Sequence, residues 1–464
     1  MQRRFWAVSA AAVLLVGSPA WAARDMCKML RDKGVLNDVE YNECIAAQEK
    51  EEAKGESKTK EFLTAQLPVW VSKFTPLGDV RVRQEGFYEN GMNARNRERV
   101  RARFGFTFAP MDEVSSTVRL ATGNSNDPIS TNQSFQDLFT RKSINLDWAY
   151  LTVKPGKTFN LRPGLITIMG GKMPTTVFKL SELVWDDDLS PEGATEVFTF
   201  IDQKEGFFRN VRLTGVQWVL DEISNGQDPW IGGAQLAADT AIGSTATWSA
   251  GVADYHYSNM NHVAEKYFNQ YTNPPTNTKS NSSYNSQLAN SNDITKNANG
   301  LITGYKYGFN ILNANSELNF ANPFGIGLPA GVFGDLAYNT QASNRNLGFY
   351  VGGGIGKAGK GWYSNSLKNQ GDWGASYTFA RVEKDAVVSL FSYSDIDYVQ
   401  AKATQKGSTN VIANIVRFDY MLFPNFQLTA KAHAINALDV SESNAHLSGS
   451  STLLRTQFDA VLKF

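Results

Sequence analysis

RERVRARFGFTF, residues 97–108, alternates strictly. Arg97, Arg99, Arg101 and Arg103 fall on one side of an extended chain, and Val100, Ala102, Phe104, Phe106 and Phe108 on the other. A β-strand points successive side chains to opposite faces, so this ribbon carries a cationic row and an oily row. Pro110 follows at once and predicts a turn over 110–113. In a membrane barrel the oily row meets lipid and the guanidiniums meet water inside. An arginine on the lipid face costs about 2–4 kcal/mol at the bilayer midplane, so inverting this strand would cost on the order of 10 kcal/mol.

The rest of the chain fits that reading. Its 464 residues suffice for one large barrel or a few soluble domains. Zero formal net charge argues against a general nucleic-acid binder. Charged residues, at 19%, are scarce and aromatics, at 12%, abundant. The mean hydropathy of −0.32 suits a barrel, where only every second strand residue must be apolar.

Residues 1–22 read as an export signal: Arg3 and Arg4, an apolar stretch from Phe5 to Val16, then Ala20-Trp21-Ala22 as cleavage site. No later apolar run reaches the roughly 18 residues of a transmembrane helix. Residues 23–62 predict a periplasmic helical hairpin with a charged linker, Gly34 ending one helix and Asn37 or Asp38 capping the next. Cys27 and Cys44 sit one per helix, as a disulfide in an oxidising compartment or as two buried thiols. They make a poor metal set, with no histidine nearby.

From residue 65 to Phe464 strand follows turn. The strands predicted are 79–88, 97–108, 114–122, 143–153 (Ile144, Leu146, Trp148 and Tyr150 on one face), 159–172, 194–201, 208–219, 229–239 and 245–257. Tyr305, Tyr307, Phe309 and Ile311 then resume the alternation. It slips phase before Leu318 and Phe320, which predicts a bulge or a turn at 313–315. Strands at 330–339, 346–356, 372–384, 409–422, 425–436 and 451–464 complete a count of about sixteen. Residues 386–393 are assigned to a loop or strand extension, and the Asn- and Ser-rich stretch 258–300 to a mobile or surface loop without a core. With a periplasmic N-terminus, the long loops 123–142, 173–193, 258–300 and 438–450 all fall outside, and turns such as 109–113 and 422–425 inside. The predicted fold is an all-β, antiparallel up-and-down transmembrane barrel.

LSELVWDDDLSPEGA (180–194) and GDWGASYTFARVEKDAVVSLFS (371–392) resemble the bacterial putative porin family, outer-membrane barrels distantly related to phosphate-selective porins. The resemblance implies a water-filled channel through which small hydrophilic solutes or ions diffuse, in the outer membrane of a Gram-negative bacterium. It also implies that the terminal Phe464, after alternating apolar residues, is read by the barrel assembly machinery. Trimers are common among such barrels, so the resemblance makes a homotrimer a candidate assembly.

Two sets of residues are candidates for function. Arg81 and Arg83 join Arg97, Arg99, Arg101 and Arg103 as a pore-lining wall that raises local anion concentration. Alternatively these arginines pair with Asp147, Asp419 and the acidic loop, and hold the barrel. Glu182, Asp186, Asp187, Asp188 and Glu192, beside Trp185, predict a constriction loop facing that wall. A calcium site at Asp186, Asp188 and Glu192, or plain solvated charges, are the other readings. The four histidines show no metal spacing. No Gly-x-Ser-x-Gly elbow or Cys-x-x-Cys-His haem site calls for an enzyme or a cofactor. The glycine run 352–356 lies in an alternating strand and reads as close packing or lumen clearance. A sheath around a periplasmic or outer-membrane partner, such as an electron-transfer conduit, is the competing function.

Overall fold

The computed structural model describes residues 71–91, 93–272, 290–357, 367–397, 407–439 and 452–464. The export signal, the hairpin over 23–62 and both cysteines lie outside the described residues. The chain forms two compact units, Met1–Phe74 and Thr75–Phe464; the second carries the sheet.

Sixteen antiparallel strands follow one another round a closed barrel. They are β1 (Phe74–Tyr88), β2 (Arg95–Met111), β3 (Val114–Thr122), β4 (Ile144–Val153), β5 (Ile166–Lys172), β6 (Glu192–Asp202), β7 (Phe208–Val219) and β8 (Trp230–Ile242), then β9 (Ala246–Ser258), β10 (Phe309–Phe320), β11 (Ala330–Asn339), β12 (Leu347–Gly356), β13 (Trp373–Val382), β14 (Val411–Phe423), β15 (Phe426–Ala437) and β16 (Leu453–Lys463). β16 pairs with β1 from Asp79↔Lys463 to Tyr88↔Leu454, which closes the wall. Phe464 extends that seam: its N–H donates to Gly78 O at 3.1 Å, and Gly78 N–H donates back at 2.9 Å. The four longest connections, 123–143, 173–191, 259–308 and 383–410, all leave one end of the barrel.

The oily row of β2 lies outside, with Phe104 63% exposed, while Arg101 is buried in the interior. The same alternation on the other strands exposes Val82, Leu336, Val416 and Phe458. In a membrane barrel such an outer band is the face that meets acyl chains.

Several boundaries differ from the expected ones, each for a physical reason. Pro110 sits within β2, where the register shifts between Phe108 and Met111, and the turn is Asp112-Glu113. A proline cannot donate to the ladder, and a bulge accommodates it. In β4 the pairing jumps from Arg119↔Trp148 to Leu120↔Leu146, leaving Asp147 as the extra residue. The bulge flips the phase: Ile144 and Leu146 face out, whereas Trp148 turns inward beside Arg119. β5 starts only at Ile166.

The apparent phase slip near 313–315 is neither bulge nor turn. β10 pairs without a shift against both neighbours. Phe309 and Ile311 point inward and are fully buried, Asn313, Asn315 and Glu317 are also inward and buried, and Leu312 faces out. Tyr305 belongs to a separate two-strand ribbon, Ile294–Lys296 with Ile302–Tyr305. The 258–300 stretch is also more ordered than expected at both ends. Met260–Thr272 is a helix, α1, that buries Met260, Val263, Ala264 and Phe268, and Asn292 is wholly buried. In the glycine run of β12 the reading of close packing holds. A Cβ at Gly352 would stand 2.5 Å from Tyr377 O, and Gly356 has φ +111°.

Because the outer band is continuous, Phe104→Arg should lower the unfolding free energy by about 2–4 kcal/mol, measured by urea titration in lipid vesicles. An unchanged midpoint would place Phe104 away from lipid.

Candidate functional site: the charged lumen

The barrel interior has two unlike halves. From β7 round to β14 the inward residues are largely apolar: Trp218, Ile231, Tyr255, Tyr257, Phe309, Ile311, Tyr350, Val382 and Ile415 are all buried. Against them pack two connections that fold into the lumen. One is 173–191, between β5 and β6; the other is the buried start of the β13–β14 connection, 383–397. Trp185, 2% exposed, is their hub. Its ring lies 5.1 Å from Trp218, 5.1 Å from Tyr255, 6.1 Å from Tyr257 and 6.4 Å from Phe391. Leu180, Leu183, Val184, Val387, Val388 and Ile396 fill the space around it.

Polar groups fix the loop in place. Gln235 of β8 brackets Phe178, accepting from its N–H at 2.6 Å and donating to its carbonyl at 2.8 Å. Leu180 N–H donates to Asn315 Oδ1 at 3.3 Å, and Ser181 Oγ donates to Asp335 Oδ2 at 2.6 Å. The two connections also bind each other. Asp186 N–H donates to Phe391 O, Tyr393 N–H to Glu182 O, and Ser394 N–H to Asp186 Oδ2, at 2.8, 3.0 and 3.2 Å. Residues 386–393 are thus loop, and inward.

The other half of the wall is charged. Arg83 grips Asp459 of β16 through two bonds of 2.7 and 2.8 Å, a bidentate pair. Arg101 and Arg103 share Asp79, at 2.7 and 2.6 Å, and both reach Asp188 on the loop, at 3.5 and 3.4 Å. Arg97 bonds Glu85, and Arg99 stands 3.8 Å from the same carboxylate. Arg455 joins them, 2.5 Å from Glu85 and 2.8 Å from Asp395. Arg81 has no carboxylate partner among the described residues. Its Nη2 donates to Asn132 Oδ1 at 2.6 Å, and its Nε is buried without an acceptor.

A cavity of about 420 Å³ lies between the two halves. Arg81, Arg83, Arg99, Arg101 and Arg103 line it, with Glu182, Asp186, Asp187 and Asp188. Arg97 is not among its lining residues. Glu192 is apart as well: it opens β6, its side chain is 64% exposed, and it pairs with Lys172 at 2.9 Å. A calcium set at Asp186, Asp188 and Glu192 is therefore not assembled, and no group of three metal-ligating side chains occurs among the described residues. Asp147 and Asp419 pair with Arg119 and Arg417, at 2.5 and 2.6 Å, rather than with the arginine row. Of the row's main partners, Asp79, Glu85 and Asp459 were legible only as inward positions of their own strands, and Asp395, on the β13–β14 connection, was not legible at all.

The loop carboxylates titrate differently. Burial pushes Asp186 well above the usual carboxylate range, and Glu182 and Asp188 push the same way. Burial also opposes ionisation of Asp188, but Arg101 and Arg103 outweigh it and hold that carboxyl low. Lys179 does the same for Asp187, 2.7 Å away. In the second inward connection, burial raises Asp385 to about 6.

Two outcomes follow from this packing. Trp185→Ala should weaken loop docking by about 3–5 kcal/mol and raise single-channel conductance; unchanged conductance would mean the ring does not hold the loop. Asp385 is raised in the folded state, so its contribution is full below the unfolded pKa of about 3.9 and lost as pH rises through about 6. The thermal midpoint should thus fall across that window more steeply in the native chain than in Asp385→Asn.

Several solved structures are similar to this chain. OprB of Pseudomonas putida at high pH is 11% identical with a TM-score of 0.50, covering 85% of this chain and 95% of that one. OmpF of Salmonella typhi, in complex with daunomycin, is 8% identical with a TM-score of 0.44, covering 86% of this chain and 100% of that one. The trimer form of OmpT of Vibrio cholerae is 10% identical with a TM-score of 0.42, covering 84% of this chain and 99% of that one. A search of curated proteins found no match. The family model described as putative porin matches residues 87–433, and the chain belongs to that family of outer-membrane β-barrel channels of the Gram-negative type.

Proposed function

We propose that small hydrophilic solutes diffuse through the charged half of the lumen, and that the passage favours anions. The observation that carries this is the charge balance round the cavity: nine cationic side chains line it against six carboxylates. Among the carboxylates Asp186 is biased toward its neutral form. Among the cations Arg81 is bonded only to an amide. A narrow, partly desolvated passage with excess positive charge concentrates anions and repels cations. The loop carboxylates 182 and 186–188 act as the opposing wall of the constriction, and Arg81, Arg83, Arg99, Arg101 and Arg103 as its cationic face.

The sheath reading fits less well. It needs an open lumen for a threaded partner, and the Trp185 core occupies that space. The remaining features complete the proposal: the long loops extracellular, the 23–62 hairpin periplasmic with a Cys27–Cys44 disulfide, Phe464 as assembly signal, and a homotrimer.

Arg81→Gln tests the selectivity with least disturbance, because it orphans no carboxylate. In a potassium chloride gradient across a planar bilayer, the reversal potential should move toward that of cations, with a severalfold fall in the anion-to-cation permeability ratio. Replacing Arg99, Arg101 and Arg103 together with alanine should move it further. An unchanged reversal potential in both would show that these side chains do not set selectivity.

A further inference from the structure

A second cavity, of about 400 Å³, lies nearer the long-loop end of the barrel. Ser130 and Asp188 line both cavities, so the two chambers meet at the Asp188 carboxylate. Their chemistries differ. Leu189, Leu220, Val263, Tyr267, Leu390 and Phe391 give the outer chamber an apolar side. Most of its charges are compensated internally: Asp147 bonds Arg119 at 2.5 Å, and Glu192 bonds Lys172 at 2.9 Å. Burial raises its remaining carboxyl, Asp127, to about 6. The inner chamber carries the excess of cations.

At the junction, Asp188 behaves as a ligand already in place. Its Oδ2 accepts from Thr131 N–H at 3.2 Å and from Thr131 Oγ1 at 3.1 Å. Its Oδ1 faces Arg101 and Arg103 at 3.5 and 3.4 Å, distances too long for tight pairs. Both arginines are held more closely by Asp79. A solute carboxylate arriving from the outer chamber has the same charge and shape as the Asp188 side chain, and can take over the same donors.

We infer that the two chambers form one site for a small amphipathic monocarboxylate. Its aromatic or branched-aliphatic body rests against the apolar side of the outer chamber, and its carboxylate exchanges with Asp188 on Arg101, Arg103 and Thr131. This deepens the anion-channel reading and rests on it for passage onward, though not for binding. A concave chamber of a few hundred cubic ångströms with one apolar side and a few convergent polar groups suits a small-molecule ligand. The exchange keeps affinity modest, because each bound solute must displace an equivalent internal group, and modest affinity suits a solute that must leave again.

The test is isothermal titration of the full-length protein in detergent with benzoate, acetate, benzyl alcohol and inorganic phosphate. Benzoate should bind at least tenfold more tightly than acetate, and benzyl alcohol more weakly than benzoate. Tyr267→Ala should weaken benzoate about fivefold and leave acetate unchanged. Asp188→Asn should tighten both acids, since the internal competitor loses its charge. Benzoate binding no tighter than acetate, or phosphate matching benzoate, overturns the inference on the unaltered protein whatever the variants do. Reversal potentials on the same preparation separate the two readings. Anion selectivity without a benzoate preference removes only this site; a benzoate preference in a cation-selective barrel keeps the site and removes the anion channel.

Discussion

A buried tryptophan in the middle of a membrane barrel is the contact on which the rest of this lumen depends. A water-filled barrel ordinarily turns polar residues inward and gives an apolar loop nothing to rest on. Here nearly half of the inner wall is greasy, and the loop carrying Trp185 has a surface to bury itself against. The hydrophobic effect does inside the pore what it normally does in a soluble core. The edge-on rings of Trp218 and Tyr255 add directional packing. With that hub in place, the three aspartates that follow Trp185 in sequence line the cavity, and Asp188 among them reaches Arg101 and Arg103 on the opposite wall.

The charged half answers that placement. Bare arginines along one wall would repel one another, and acidic groups spaced among them relieve the repulsion. Most sit on the wall itself, at Asp79, Glu85 and Asp459; two, Asp188 and Asp395, arrive on the inward connections. Removing one partner from such a buried pair costs far more than the pair is worth in net stability, because the survivor is left desolvated and alone. The ladder therefore serves barrel closure, since Arg83–Asp459 and Arg455–Glu85 both span the β1–β16 seam, and passage at the same time. Structural and selective roles for these arginines are two consequences of one arrangement.

Much of the wall was legible from the sequence. Period-two alternation located the sixteen strands, oriented the arginine row of β2 and separated Leu454, Phe458 and Leu462 from Arg455, Gln457 and Asp459. It failed where its underlying assumption failed, that oily means outward. Phe309 and Ile311 are oily and inward, because the Trp185 core lies in front of them, so a regular strand read as a phase slip. Bulges were invisible for a related reason: one extra residue at Asp147 changes no composition, yet it sends Trp148 to the lumen. The acidic loop announced itself by its charge. Its partner over 383–397 did not, because VVSLFSY resembles a strand and only tertiary packing makes it a plug.

The most direct test of the inward loop is a cross-link between its tip and the far wall. Ser181 Oγ lies 2.6 Å from Asp335 Oδ2 on β11. With Ser181→Cys and Asp335→Cys together, mild oxidation of intact outer membranes should join the two positions rapidly and nearly completely, and single-channel conductance should stay that of the parent. Failure to form that bridge, or a bridge that forms only after unfolding, would place the loop outside the lumen and contradict the account.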